Sequence, residues 1–135
     1  MTNQEKKKYL NQYAKANREI DRKVEELAVW RSKALKVTPV ITDAPKSNGG
    51  ENKLQSAVER IMAIEDEINR NIDELVLLQR ETESLIEMLD DTTLQTILKY
   101  RYINGLTWEQ IAVRMDYSYM HITRLHGKAL SALKL

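Results

Sequence analysis

Ser118, Tyr119, Met120, Thr123 and Arg124 lie close together near the end of the chain, with Lys128 one turn further on. On a helix, such a set offers hydroxyls, an apolar thioether, an aromatic ring and a guanidinium fork. These are the groups with which proteins contact base edges in the major groove of DNA. Lys99, Arg101, Thr107, Arg114 and Lys128 add cations and a hydroxyl suited to phosphates, which hold a protein on a duplex without reading its sequence. The competing readings are ordinary: Tyr119 and Met120 as a packing or partner-binding patch, and Arg124 as a solvated cation. The parts needed for making and breaking bonds are missing. The chain has no Cys, and its two histidines, His121 and His126, stand five residues apart and do not share a helix face. Glu65, Asp66 and Glu67 are consecutive, so they point different ways around a helix and read as a solvated face. No Gly-rich phosphate loop occurs. The residues therefore imply binding rather than catalysis, with no cofactor and no metal.

Short helices with explicit start and stop signals position this set. Thr92 and Gln95 have the form of a capping box, Leu94, Ile97 and Leu98 follow, and Asn104-Gly105 can end a helix, which predicts a helix over about 93–103. Thr107 and Gln110 form a second capping box with Leu106 and Ile111 at the staple positions, predicting a helix over 108–115. Ser118 can cap a third helix reaching about Leu133, and only Asp116 and Tyr117 separate it from the second. Two helices joined so closely must cross steeply; Ile111, Met115, Ile122 and Leu125 supply the buried face, with the small Ala112 between them. This is a helix-turn-helix pattern.

The rest of the chain is built on longer periods. Tyr13, Ala16, Ile20, Leu27, Trp30, Ala34 and Val37 mark one long amphipathic helix from Asn3 to Lys36, interrupted on its seam only by Lys23. Pro39, Pro45, Gly49 and Gly50 then indicate a flexible connector over 37–52. Leu54, Ile61, Ile68, Leu75, Thr82 and Leu89 recur every seventh residue, with Ala57, Ile64, Asn71, Leu78 and Leu85 between them, giving a heptad seam. Two such helices can close into an antiparallel hairpin or associate as a homodimer; Asn71 either fixes register in a core or lies at a hydrated edge. The expected domains are thus 1–90, a long-helix hairpin or coiled coil, and 91–135, the helix-turn-helix unit, in an all-α chain. Charge is segmented: residues 1–37 carry 10 basic and 5 acidic residues, 38–98 carry 5 and 13, and 99–135 carry 6 and 2. An acidic middle flanked by basic ends permits a polyanion partner at an end. No apolar run suits a signal peptide or a membrane span, which leads to the expectation of no membrane partner.

The run from Arg101 to Leu130 resembles region 4 of bacterial sigma factors, their promoter-reading domain, at Arg101, Tyr102, Gly105, Leu106, Thr107, Ile111, Ala112, Ser118, Ala129 and Leu130. Together with the long N-terminal helices it resembles small phage-encoded regulators of Gram-positive bacteria, the RinA-like and ArpU-like late-gene activators and related proteins. The resemblance implies a phage or prophage transcription regulator in the cytoplasm of a bacterial host cell, binding double-stranded DNA and acting with host RNA polymerase. Two departures limit it. Asp116 stands where the pattern has Gly, and Tyr119, Met120 and His121 stand where sigma factors carry charges, so their promoter preference does not transfer. The alternatives are a small terminase subunit, which also joins a helix-turn-helix to long helices, and a polymerase-binding adaptor that reads no bases.

Overall fold

A computed structural model describes residues 1–37 and 48–135, and every regular element among them is helical. Helix α1 (Asn3–Leu10) opens with a capping box in which the Thr2 hydroxyl accepts from the Glu5 N–H and the Glu5 carboxylate accepts from the Thr2 N–H. Helix α2 (Gln12–Val37) follows after the single residue Asn11, which stays right-handed at φ −73 and ψ −9. Backbone bonds run through this point, from the Asn11 N–H to the Lys7 carbonyl and from the Lys15 N–H to the Asn11 carbonyl. The single long helix read from the seam is therefore two helices with a one-residue irregularity.

Helix α3 spans Asn48–Glu87, 40 residues. Of the expected connector at 37–52, residues 38–47 lie outside the described residues, while 48–52 are helical. Gly49 and Gly50 fall in the first turn of α3, where backbone N–H groups have no intrahelical partner in any sequence, so the weakness of glycine matters least there. The heptad seam emerges as the covered stripe of the helix: Ala57, Ile64, Ile68 and Thr82 are buried, Leu54, Ile61, Leu75, Leu78 and Leu85 are half-buried, and the last seam residue, Leu89, is buried just beyond the end of α3. Asn71 is half-buried.

Helix α4 (Thr92–Leu98) begins on Asp91, not on Thr92 as the capping-box pattern suggested. The Asp91 carboxylate accepts from the Thr93 and Leu94 N–H groups at 2.8 and 3.3 Å, and a charged acceptor at a helix N-terminus outcompetes a hydroxyl. Gln95 instead donates to the Leu89 carbonyl. The helix continues into a wider turn over Lys99–Ile103, where the Asn104 N–H reaches back five residues to the Lys99 carbonyl. Helices α5 (Trp108–Met115) and α6 (Tyr119–Ala132) complete the chain.

These elements form two compact units. One comprises Met1–Asn17 and Glu74–Leu135, the other Arg18–Asp73, so the expected boundary at residue 90 falls inside the first. In the second unit, α2 and α3 run antiparallel, with Ile20, Leu27, Ala57, Ile64 and Ile68 buried. Ion pairs join Lys23 to Glu67, Arg31 to Glu65 and Arg60 to Glu26. Lys23, the interruption in the first seam, is thus accommodated by a carboxylate from the facing helix. Glu65 and Glu67 are cross-helix partners rather than a purely solvated face. Being partly exposed, each pair contributes modestly to stability, and together they favour one register over its neighbours.

In the first unit, Leu10, Ile86, Leu89, Leu94, Leu98, Tyr102, Ala129, Leu130 and Leu133 form one core. Lys6 is buried, and its ammonium donates to the Leu130 carbonyl at 2.8 Å, while the Asn3 amide donates to the Ser131 hydroxyl. A cation at the last turn of α6 meets the negative end of that helix and a carbonyl that otherwise accepts from the Leu133 N–H, at 3.3 Å. Lys6→Met keeps the apolar stem but removes the shorter, charge-assisted bond to this carbonyl, and should lower stability by about 1–2 kcal/mol. Lys8→Met, at an exposed position, should stay within about 0.5 kcal/mol of the parent. Denaturant unfolding of both variants compares them, and equal midpoints for Lys6→Met and the parent would show that α1 does not anchor α6.

Candidate nucleic-acid interface

Helix α5 begins with the reciprocal cap expected from the sequence: the Thr107 hydroxyl accepts from the Gln110 N–H at 3.2 Å, and the Gln110 side chain accepts from the Thr107 N–H at 2.9 Å. It ends on Asp116 in the left-handed conformation, φ 56 and ψ 43. This is the only non-glycine residue with positive φ among the described residues. The reversal lets the Tyr117 N–H bond to the Ala112 carbonyl and turns the chain straight into Ser118, whose hydroxyl accepts from the His121 N–H to start α6. Gly105, at φ 68, makes the corresponding turn before α5. Ile97, Ile111, Ala112 and Ile122 form the buried contact of the helix-turn-helix, with Tyr100, Leu106, Trp108, Met115 and Leu125 around it.

A second contact holds the same three segments from behind. His126 and Tyr102 are buried at 6% and 4% exposure, and the Tyr102 hydroxyl shares a 2.7 Å hydrogen bond with His126 Nε2. The Trp108 ring lies against the imidazole at 4.4 Å between centroids, and the Arg101 guanidinium sits 4.5 Å over the Trp108 ring while donating to the Leu106 carbonyl at 3.0 Å. Burial pushes the Tyr102 hydroxyl up to about 12. Burial, reinforced by the positive charges of Lys7 and Arg101, pushes His126 down to about 4, so the imidazole is neutral at physiological pH. Sequence reasoning passed over His126, because a lone histidine in a helix gives no signal of its burial; Leu130, one turn on, and Ile122, one turn back, were the available hint.

The residues read as base contacts all lie on α6 or its cap. Ser118, Tyr119, Met120 and Arg124 are exposed, Met120 at 74%. Thr123 is half-buried, and its hydroxyl donates to the Met120 carbonyl. The residues read as phosphate contacts divide. Lys128, Arg114 and Thr107 are exposed, with Arg114 over the Tyr100 ring at 5.6 Å and Thr107 serving as the α5 cap. Arg101 is held within the fold by Trp108 and Leu106, and Lys99 pairs with Glu87 at 3.0 Å. Groups of His, Asp or Glu able to hold a metal are absent among the described residues, and no described helix is long and apolar enough to cross a membrane.

A family model described as "Protein of unknown function (DUF1492)" matches residues 35–134. No curated protein and no solved structure matches the chain.

Two outcomes follow from this geometry. Asp116→Gly removes both the penalty of a left-handed L-residue and a negative charge at the end of α5, so it should stabilise the protein by roughly 0.5–1 kcal/mol in thermal melts. A loss of stability would mean that the carboxylate supports the turn. The second concerns acid. With His126 near 4 when folded and 6.5 when unfolded, the unfolded chain takes up a proton that the folded one refuses. Its contribution is therefore complete above pH 6.5 and declines as pH falls towards 4, with a limiting slope of about 1.4 kcal/mol per pH unit. In His126→Gln, which retains every carboxylate but not this proton site, the stability profile should be flatter across that window. Parallel profiles for the two proteins would exclude a neutral buried imidazole.

Proposed function

Given that the chain belongs to the DUF1492 family, we propose that it is a sequence-specific DNA-binding transcription regulator, phage or prophage encoded, that acts with host RNA polymerase. The observation that carries this reading is the state of α6. Its inner side is buried in two cores, whereas its front, from Ser118 through Arg124 to Lys128, is exposed. Neither Arg124 nor Lys128 has an ion-pair partner among the described residues. A helix held this way after a tight left-handed turn can enter the major groove with its N-terminal residues against base edges. The basic excess over 99–135 supplies the attraction for phosphate. The resemblance of Arg101–Leu130 to sigma factor region 4 supports contact with polymerase, and the long α2–α3 pair offers a surface for a homodimer.

A second reading is favoured by the exposure of Val113, at 81%, and Met120: an adaptor whose helix-turn-helix docks on a protein and reads no bases. A small terminase subunit is the third, and would assemble into large rings.

Selection from random duplexes with the full chain, followed by salt titrations, separates these. Arg124→Ala should lower affinity for the selected site by about 1–3 kcal/mol and leave binding to a scrambled duplex nearly unchanged. Lys128→Ala should weaken binding to both duplexes alike and reduce the slope of log affinity against log salt by about one. If Arg124→Ala bound both duplexes like the parent, α6 would not read bases through this residue and the adaptor reading would move ahead. A ring-sized mass in light scattering would favour the packaging component.

A further inference from the structure

Gly127 lies in the interior of α6, where glycine is disfavoured relative to alanine because it loses more backbone freedom on folding. Its φ is not in the left-handed region, and a Cβ built on it would meet nothing within 4 Å. Neither backbone conformation nor packing among the described residues requires a glycine there. Met120 lies seven residues earlier on the same helical stripe, its thioether largely in water, and Thr123 lies between them. The hydroxyl proton of Thr123 is committed to the Met120 carbonyl, so towards a partner the side chain offers its methyl and an acceptor oxygen but no donor. The stripe is therefore apolar at one end and stripped to backbone at the other, within a segment of 6 basic and 2 acidic residues.

Glycine at such a point suits the close approach of another molecule, and the surrounding charge selects a polyanion. The apolar group that a DNA duplex presents in its major groove is the C5-methyl of thymine. We propose that the stripe Met120, Thr123 and Gly127 packs against thymine methyl groups, with Gly127 allowing α6 to seat closely on them. This inference rests on the reading of α6 as a recognition helix and adds what it reads: the specificity comes from methyl contacts beside Arg124, in place of a row of charges.

The test uses the full chain and a duplex selected by it from a random pool. That duplex is remade with deoxyuridine for thymine, which leaves every hydrogen-bonding edge intact and removes only the methyl groups. Affinity should fall about fourfold for each contacted methyl. For Met120→Ala the deoxyuridine penalty should shrink. Gly127→Ala should melt several degrees higher than the parent yet bind the selected duplex more weakly, an opposition of sign that a purely structural glycine cannot produce. Specific binding that is indifferent to deoxyuridine overturns the inference and leaves the DNA-binding reading standing. A higher-melting Gly127→Ala with unchanged affinity overturns the close approach. If no duplex is enriched at all, the DNA-binding reading fails and the inference with it. If Met120→Ala and Gly127→Ala weaken capture of purified RNA polymerase without altering duplex binding, the stripe is a protein contact and the inference is overturned.

Discussion

Everything presented by α6 depends on an imidazole kept neutral under a tryptophan. His126 reaches across to Tyr102 on the turn after α4 and is covered by Trp108 from the start of α5, so three segments meet on one ring. Ile97, Ile111 and Ile122 join the same segments from the other side, but apolar contacts alone are tolerant of rotation. A hydrogen bond between two buried polar groups is not, because breaking it leaves both unpaired. The angular setting of α6, and hence which of its side chains face outward, is fixed by that directional contact. Arg101, stacked on Trp108 and bonded to the Leu106 carbonyl, closes the ring from outside.

Much of this arrangement was legible in the sequence, and the reasons differ by element. The caps at Thr107 and Ser118 are local devices, requiring only residues three apart, so local spacing alone revealed them. Asp116 was marked only as standing where the resembling pattern has Gly, and its left-handed backbone is the physical reason glycine suits that position. The α3 seam was legible because a period of seven held from Leu54 to Leu89 has no other simple explanation. Tertiary choices were less accessible. Whether Asp91 or Thr92 capped α4 turned on a competition between neighbouring acceptors that a spacing rule does not rank. The buried His126 and Lys6 were missed because each looks, in sequence, like a polar residue on a surface, and only the partners Tyr102 and the Leu130 carbonyl make their burial tolerable. Arg101 and Lys99, attractive as phosphate ligands by charge, prove to be engaged within the chain itself.

The paired long helices follow a different economy. Lys23 pairs with Glu67, Arg31 with Glu65 and Arg60 with Glu26, all partly exposed, alongside the buried residues Ile20, Leu27, Ile64 and Ile68. The apolar residues provide affinity between the helices and the charges penalise sliding, since a shift of one turn would bring unlike partners out of reach. On the proposed reading, such a pair gives the protein a rigid body whose surface is free of the requirements imposed on α6.

The bonds from Lys6 to the Leu130 carbonyl and from Asn3 to Ser131 join residues 124 and 128 positions apart. One compact unit is thus made from two separated stretches of chain, with Arg18–Asp73 between them in sequence. Order of synthesis then becomes order of assembly. When α1 leaves the ribosome its anchoring partner has not been translated, so Lys6 must wait, unburied, until the last helix emerges. The Arg18–Asp73 pair can close in the meantime, since its contacts are shorter in sequence. Completion of the other unit is therefore a late event by construction, and α6 acquires its contact with α1 only once the last residues have been added.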